Sequence, residues 1–229
     1  MRPKPTKYET LEVSCSAAVG WIVFNRPAAA NAMDATMLSE LEAAWLELEA
    51  NESVRGIVNT GNGSAFQTGL DVVQLAKSPE ALREQSRRTK RSELKFTAWQ
   101  NGVTKPVIAA VNGVCAGGGL HFVADADIVI ASESATFLDP HVSVGQVSAF
   151  ETIGLAKKMP MESVVRMALM GAHERIGARR ALQLGLVSEV VADTDLHRRA
   201  IEIASHIADQ PTAALRTIKQ QLWNALERP

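Results

Sequence analysis

Two glycine-bearing segments hold the residues whose types and spacing could do chemistry. Val107 to His121 reads VIAAVNGVCAGGGLH, an apolar run followed by Gly117, Gly118, Gly119 and the start of a helix pattern. Glycine lets a backbone turn tightly and approach a ligand closely. A helix start presents unpaired N–H groups and the positive end of a dipole. Such a place suits a phosphate, or a carbonyl oxygen gaining negative charge. A plain strand-to-helix packing turn would use the same glycines, and a dinucleotide-binding turn is a third reading. The third is discouraged, because the segment has no G-x-G-x-x-G and no Lys-Ser or Lys-Thr follows the glycines. Ser64 to Val73 reads SAFQTGLDVV and follows a second apolar run, Arg55 to Thr60. The neighbours of Gly69 do not readily take positive φ, so Gly69 is expected to carry the unusual backbone angle. Two glycine turns after two strands can aim two N–H groups at one oxygen, which is what an oxyanion hole requires.

The elements that must position these turns follow from periodicity and punctuation. Glu9–Cys15 and Val19–Asn25 read as strands about a turn at Ser16–Ala18, with β-branched and aromatic residues in place. Asp34 is expected to cap a helix on which Met37, Leu38, Leu41, Trp45 and Leu48 recur at helical spacing. Gly61, Asn62 and Gly63 close the strand before them. Pro79–Asn101 has a long polar helix pattern, broken by Lys105-Pro106. Val107–Val111 reads as a buried strand, and Ile128–Ala131 as another. Met161–Met170, Ala178–Leu184, Asp195–Ala208 and a stretch from Pro211 through Leu222 read as helices, with Leu186–Val191 extended between them. Strands alternating with helices predict an α/β fold whose last part is helical.

Composition limits the function classes. The 229 residues are 46% hydrophobic and 21% charged, ordinary for a globular chain. A formal net charge of −1 gives no pointer to nucleic acid or an anionic membrane. Arg83 to Arg91 forms a local basic cluster, read as a solvated helix face in preference to a patch that meets ligand phosphates. No run of about 18 apolar residues predicts a membrane span. Residues 1–8 lack the apolar core of a signal peptide. Cys15 and Cys115 form no metal-ligand spacing. Two unpaired cysteines fit a reducing compartment, so a cytoplasmic protein is expected.

Four ordered motifs now come together: NRPAAANAM at Asn25–Met33, SAFQTGLDV at Ser64–Val72, KPVIAAVNGVCAGGGL at Lys105–Leu120 and ADADIVIASESATFLDP at Ala124–Pro140. With RMALMGAHERIGARRALQLGLVSEVV at Arg166–Val191, they resemble the crotonase superfamily, the enoyl-CoA hydratase/isomerase family. The resemblance runs from about Tyr8 to the last helix. It implies a spiral of ββα units over 1–192, then a C-terminal helical, oligomerising region over 193–229, in a homotrimer or hexamer. The family's last helices help form the trimer and cover the ligand, and this sequence stops at Pro229, earlier than most members do. The resemblance also implies an acyl-CoA thioester substrate, with coenzyme A arriving as part of it and no separate cofactor. The oxyanion hole falls on the N–H groups of Leu70 and Gly118. Gly69, Leu70, Asp71, Val72 and Val73, with Ala28, Ala30 and Gly118, fall in the substrate site.

The chain departs from the family where the acid/base work is done. The family's two pocket glutamates correspond to His121 and His141 here. Two imidazoles could in principle activate water, since an unperturbed His titrates near ~6.5. At least one is expected to act as a general base, with activity falling on acidification. Glu151, ten positions after His141, is a further acid/base candidate, against a reading as a surface-loop glutamate. A two-histidine metal site with Asp139 has no ligand spacing behind it, and no metal is expected. His173 and His197 read as helix-surface residues. The expected activity is that of an enoyl-CoA hydratase or isomerase with a non-standard acid/base set, a lyase of fatty acid metabolism by resemblance. The alternatives are an acyl-CoA or carbon–carbon bond hydrolase, or a non-catalytic acyl-CoA-binding member.

Overall fold

A computed structural model describes residues 8–72 and 95–227 of the chain. Val73, the basic cluster 83–91 and most of the expected 79–101 helix lie outside the described residues. The described end of that expected helix, 95–101, holds a turn and no helix.

The chain opens with an antiparallel pair, β1 (Leu11–Ser16) and β2 (Val19–Phe24). Helix α1 (Ala35–Ala50) follows, capped as expected: the Asp34 carboxylate accepts the Met37 N–H at 2.8 Å. Strand pairs then alternate with helices. β3 (Gly56–Gly61) precedes β4 (Ala65–Gln67), β5 (Val107–Val111) precedes β6 (Val114–Ala116), and β7 (Ile128–Ser132) precedes β8 (Thr136–Leu138). α2 (Leu120–Asp125) follows the second pair and α3 (Phe150–Leu155) the third. The first strand of each pair joins one six-stranded sheet, in the order β1-β2-β3-β5-β7-β10, with β10 at Glu189–Val191. The second joins a four-stranded sheet, β4-β6-β8-β9, with β9 at Ile176–Gly177. A mixed α/β spiral of two-strand units is the result, and within each sheet the successive units run parallel.

Periodicity found the first strand of every unit but not the second. β4, β6 and β8 have three residues each, too few for an alternation to register. They also sit inside the glycine segments that read as turns. α3 was missed for a similar reason, since six residues make less than two turns.

α4 (Met161–Met170), α5 (Ala178–Gln183), α6 (Leu196–Ala208) and α7 (Thr212–Glu227) complete the described chain. α6 lies on the large sheet, where Leu196, Ala200 and Ala204 pack on Trp21, Val58 and Ile108. α1 buries Met37, Leu41, Trp45 and Leu48 in the main core. Each such side chain contributes roughly 1.5–3 kcal/mol on burial. The C-terminus of α1 is closed by buried Lys105, whose ammonium donates to the Leu48 and Asn51 carbonyls at 2.6 and 2.7 Å. These are carbonyls that a helix end leaves without intrahelical partners.

Candidate active site

The four-stranded sheet lines up the chemistry. β4, β6 and β8 are parallel neighbours, so the segments that follow them emerge side by side at one edge. These are Thr68–Asp71, Gly117–His121 and Asp139–His141. Ligands in open α/β sheets gather at the carboxyl ends of strands for this reason. Here those ends border a cavity of about 780 Å³.

The two glycine turns touch. Gly69 has φ +89°, the left-handed angle expected of it, and a Cβ there would sit 2.8 Å from the Gly118 backbone nitrogen. A parallel bridge pairs Leu70 with Met33: the Met33 N–H donates to the Gly69 carbonyl at 2.7 Å, and the Asp71 N–H to the Met33 carbonyl at 2.9 Å. In such a bridge the central residue's own N–H faces the opposite side, so the Leu70 N–H is turned away from Met33. Gly118 lies in the single turn Gly117–Gly119 that opens α2, where N–H groups have no intrahelical partner. Leu70 and Gly118 both line the cavity.

Of the other expected substrate residues, Ala28, Gly69, Asp71 and Val72 also line it. Ala30 does not: it sits in a left-handed turn, where its carbonyl accepts the Thr68 hydroxyl at 2.9 Å. It braces the Leu70 turn from behind. Arg26, which no spacing or motif singles out, forms part of the wall and bonds Asp71 at 3.0 Å and Asp34 at 3.2 Å.

His121, His141 and Glu151 converge. His121 is buried on α2, its ring edge-on to Phe96 at 5.2 Å. Glu151 lies in the first turn of α3 and is buried, not a surface-loop residue. Its carboxylate stands between the two imidazoles: Oε2 is 3.5 Å from His121 Nε2, and Oε1 is 3.4 Å from His141 Nε2. All three side chains line the cavity. Among the described residues no group of three or more His, Cys, Asp or Glu is arranged to hold a metal ion.

Behind His141 stands a second carboxylate. Asp139 is fully buried, and its Oδ1 receives both the His141 backbone N–H at 3.1 Å and the ring Nδ1–H at 2.5 Å. Burial alone would lower the His141 pKa. The Asp139 hydrogen bond and the charges of Glu151 and Asp139 outweigh it, and the pKa lies above the ordinary value. Burial would raise the Asp139 pKa. The His141 ring, the nearby Ser148 hydroxyl and the His141 backbone N–H outweigh that, and the carboxyl is held below its usual range. The signal in the sequence is Asp-Pro-His, since an aspartate readily bonds the backbone two residues on. His173 and His197 are exposed as expected, and His197 stacks on Trp21 at 4.5 Å.

A family model for enoyl-CoA hydratase/isomerase matches residues 14–229. A probable enoyl-CoA hydratase of Rhodobacter capsulatus is 34% identical over 223 residues, covering 97% of this chain and 84% of that protein. The mitochondrial enoyl-CoA hydratase of Pongo abelii is 34% identical over 210 residues, covering 91% of this chain and 70% of that protein. The crystal structure of an enoyl-CoA hydratase/isomerase from Mycobacterium paratuberculosis superposes with a TM-score of 0.85 at 37% identity, covering 97% of this chain and 84% of that one. The α/β spiral is the fold of these solved relatives, and the chain belongs to the enoyl-CoA hydratase/isomerase family.

Proposed function

We propose that the protein is an enoyl-CoA hydratase that adds water to the conjugated double bond of an acyl-CoA thioester through an acid/base set centred on Glu151. The observation that carries this reading is the Glu151 carboxylate, set between His121 and His141 in the cavity where the two glycine turns meet. The N–H groups of Leu70 and Gly118 hold the thioester oxygen. They stabilise it as it gains charge, which is the largest single contribution in many enzymes of this kind. Apolar wall residues Met33, Phe96, Val147 and Phe150 suit a hydrocarbon acyl group.

The protons balance within the cluster. Glu151 takes a proton from water as the water oxygen bonds to the β-carbon. The double-bond electrons move toward the α-carbon and the thioester oxygen. Cationic His141 gives the Nε2 proton to the α-carbon. Glu151 then returns its proton to His141 across the 3.4 Å that separates them. One water has been added and both side chains are restored. A ring with a carboxylate at each nitrogen is held in its cationic form, so it enters the reaction already carrying the proton to be given. Glu151 is therefore the base in this reading, and the expectation that an imidazole is the base gives way to an imidazolium acid. His121 steadies the other oxygen of Glu151.

Incubating the protein with a panel of enoyl-CoA thioesters and reading products by mass spectrometry tests this. The expected result is a gain of one water. A shifted double bond without mass change would replace hydration by isomerisation, and release of free coenzyme A would replace it by hydrolysis. The assembly is a homotrimer or hexamer, supported by the exposed apolar residues Ile218, Leu222 and Leu226 on α7 and Val165 and Leu169 on α4. The cytoplasm is the compartment, supported by two free cysteines.

A further inference from the structure

Asp139 takes no part in the hydration steps, yet it is bonded to the residue that supplies their proton. It is fully buried, and a buried carboxylate is costly unless paired and hydrogen-bonded. Its Oδ1 takes two contacts from one residue, the backbone N–H and the ring Nδ1–H of His141. The double contact fixes the ring in rotation and in tautomer. With Nδ1–H committed to Asp139, Nε2 is the nitrogen left for the cavity, and it faces Glu151 at 3.4 Å. Gly117, at φ +51°, lies beside the ring, and a Cβ there would stand 3.5 Å from His141 Cε1.

We propose that Asp139 is a positioning residue that clamps His141 with Nδ1–H toward itself and Nε2–H toward the cavity, so that His141 enters the reaction as an acid and not as a base. The proposal rests on the hydration reading for what that acid does, but the state of the ring is independent of it. The charged groups acting on the ring are Asp139 from its own loop and Glu151 from α3. Of the elements packed on its turn, α4 carries Glu162 and Arg166, and the turn Gly171–His173 carries His173. Arg166 is engaged with Glu174 at 3.0 Å. None of these groups acts on the His141 ring as Asp139 and Glu151 do. The same logic operates where a buried aspartate orients a catalytic histidine in hydrolases, though there the oriented ring is a base. The second carboxylate, Glu151, is what turns the sense round in this chain.

The test is a titration of the imidazoles by NMR in the ligand-free protein. In the wild type His141 should keep its second proton above the ordinary value of ~6.5. In Asp139→Asn its titration should move to lower pH, and the Nδ1-protonated neutral tautomer should lose its dominance. Wild-type His141 titrating at or below the ordinary value would overturn the proposal, and so would an unmoved titration in the variant. Neither reading needs turnover, so the proposal can fail while hydration stands, and the reverse. Should Asp139→Asn not fold, the wild-type titration alone decides. If hydration is observed, a double-mutant cycle adds a second reading: Asp139→Asn should lower kcat with little change in KM, and should have no further effect in a His141→Gln background. A full additional loss in that background would mean that Asp139 does not act through His141.

Discussion

At the scale of single residues, the cluster makes its own pH dependence. His141 has its pKa raised against burial by Asp139 and Glu151. A raised pKa means that the cation persists above the ordinary ~6.5 and is lost as pH rises through the folded value. If the cation is the acid, kcat should hold through that pH and fall on the alkaline side. A pH–rate profile that falls only on the acid side would instead favour an imidazole base. Gly69 supplies a second prediction. Its φ of +89° and the 2.8 Å approach of a Cβ to Gly118 nitrogen leave no room for a side chain. Gly69→Ala should destabilise the fold by about 1–3 kcal/mol from backbone strain alone, read as a lowered urea midpoint, and should also spoil the donor pair. Both histidines could be named from the sequence through the family resemblance, and Glu151 as a candidate in the same loop. Asp139 could be named only as an unlikely metal ligand, since its bond to a ring two residues away depends on the loop conformation after β8.

At the scale of elements, the small sheet places the site. Its three parallel strands deliver three consecutive chemical segments to one edge, and none of the three is long enough to show a period. The long elements were legible because their burial is one-sided or complete: α1, α4, β5 and α6 fall within a residue or so of where periodicity put them. α1 braces the site indirectly. The Met33 bridge that orients Leu70 lies immediately before its cap, Asp34. Asp34→Ala should cost about 1 kcal/mol for loss of the capping bond, measurable by thermal melting. It should also weaken turnover, because Asp34 shares Arg26 with Asp71 beside Leu70.

At the scale of the whole molecule, α6 is part of the core while α7 leaves Ile218, Leu222 and Leu226 exposed. Soluble homo-oligomers usually close by rotational symmetry, so light scattering should report a trimer or hexamer, and a stable monomer at micromolar concentration would contradict that assembly. The proposed hydration depends on a feature smaller than the assembly, a single carboxylate between two imidazoles. Its most direct test is turnover of an accepted enoyl-CoA thioester by Glu151→Gln, with thioester binding measured separately. Loss of the base should lower kcat by about 100-fold or more while binding stays near the wild-type value, because the proposed hold on the thioester oxygen is the Leu70 and Gly118 N–H pair. Wild-type turnover in Glu151→Gln would rule out Glu151 as the base and return the chemistry to the histidines.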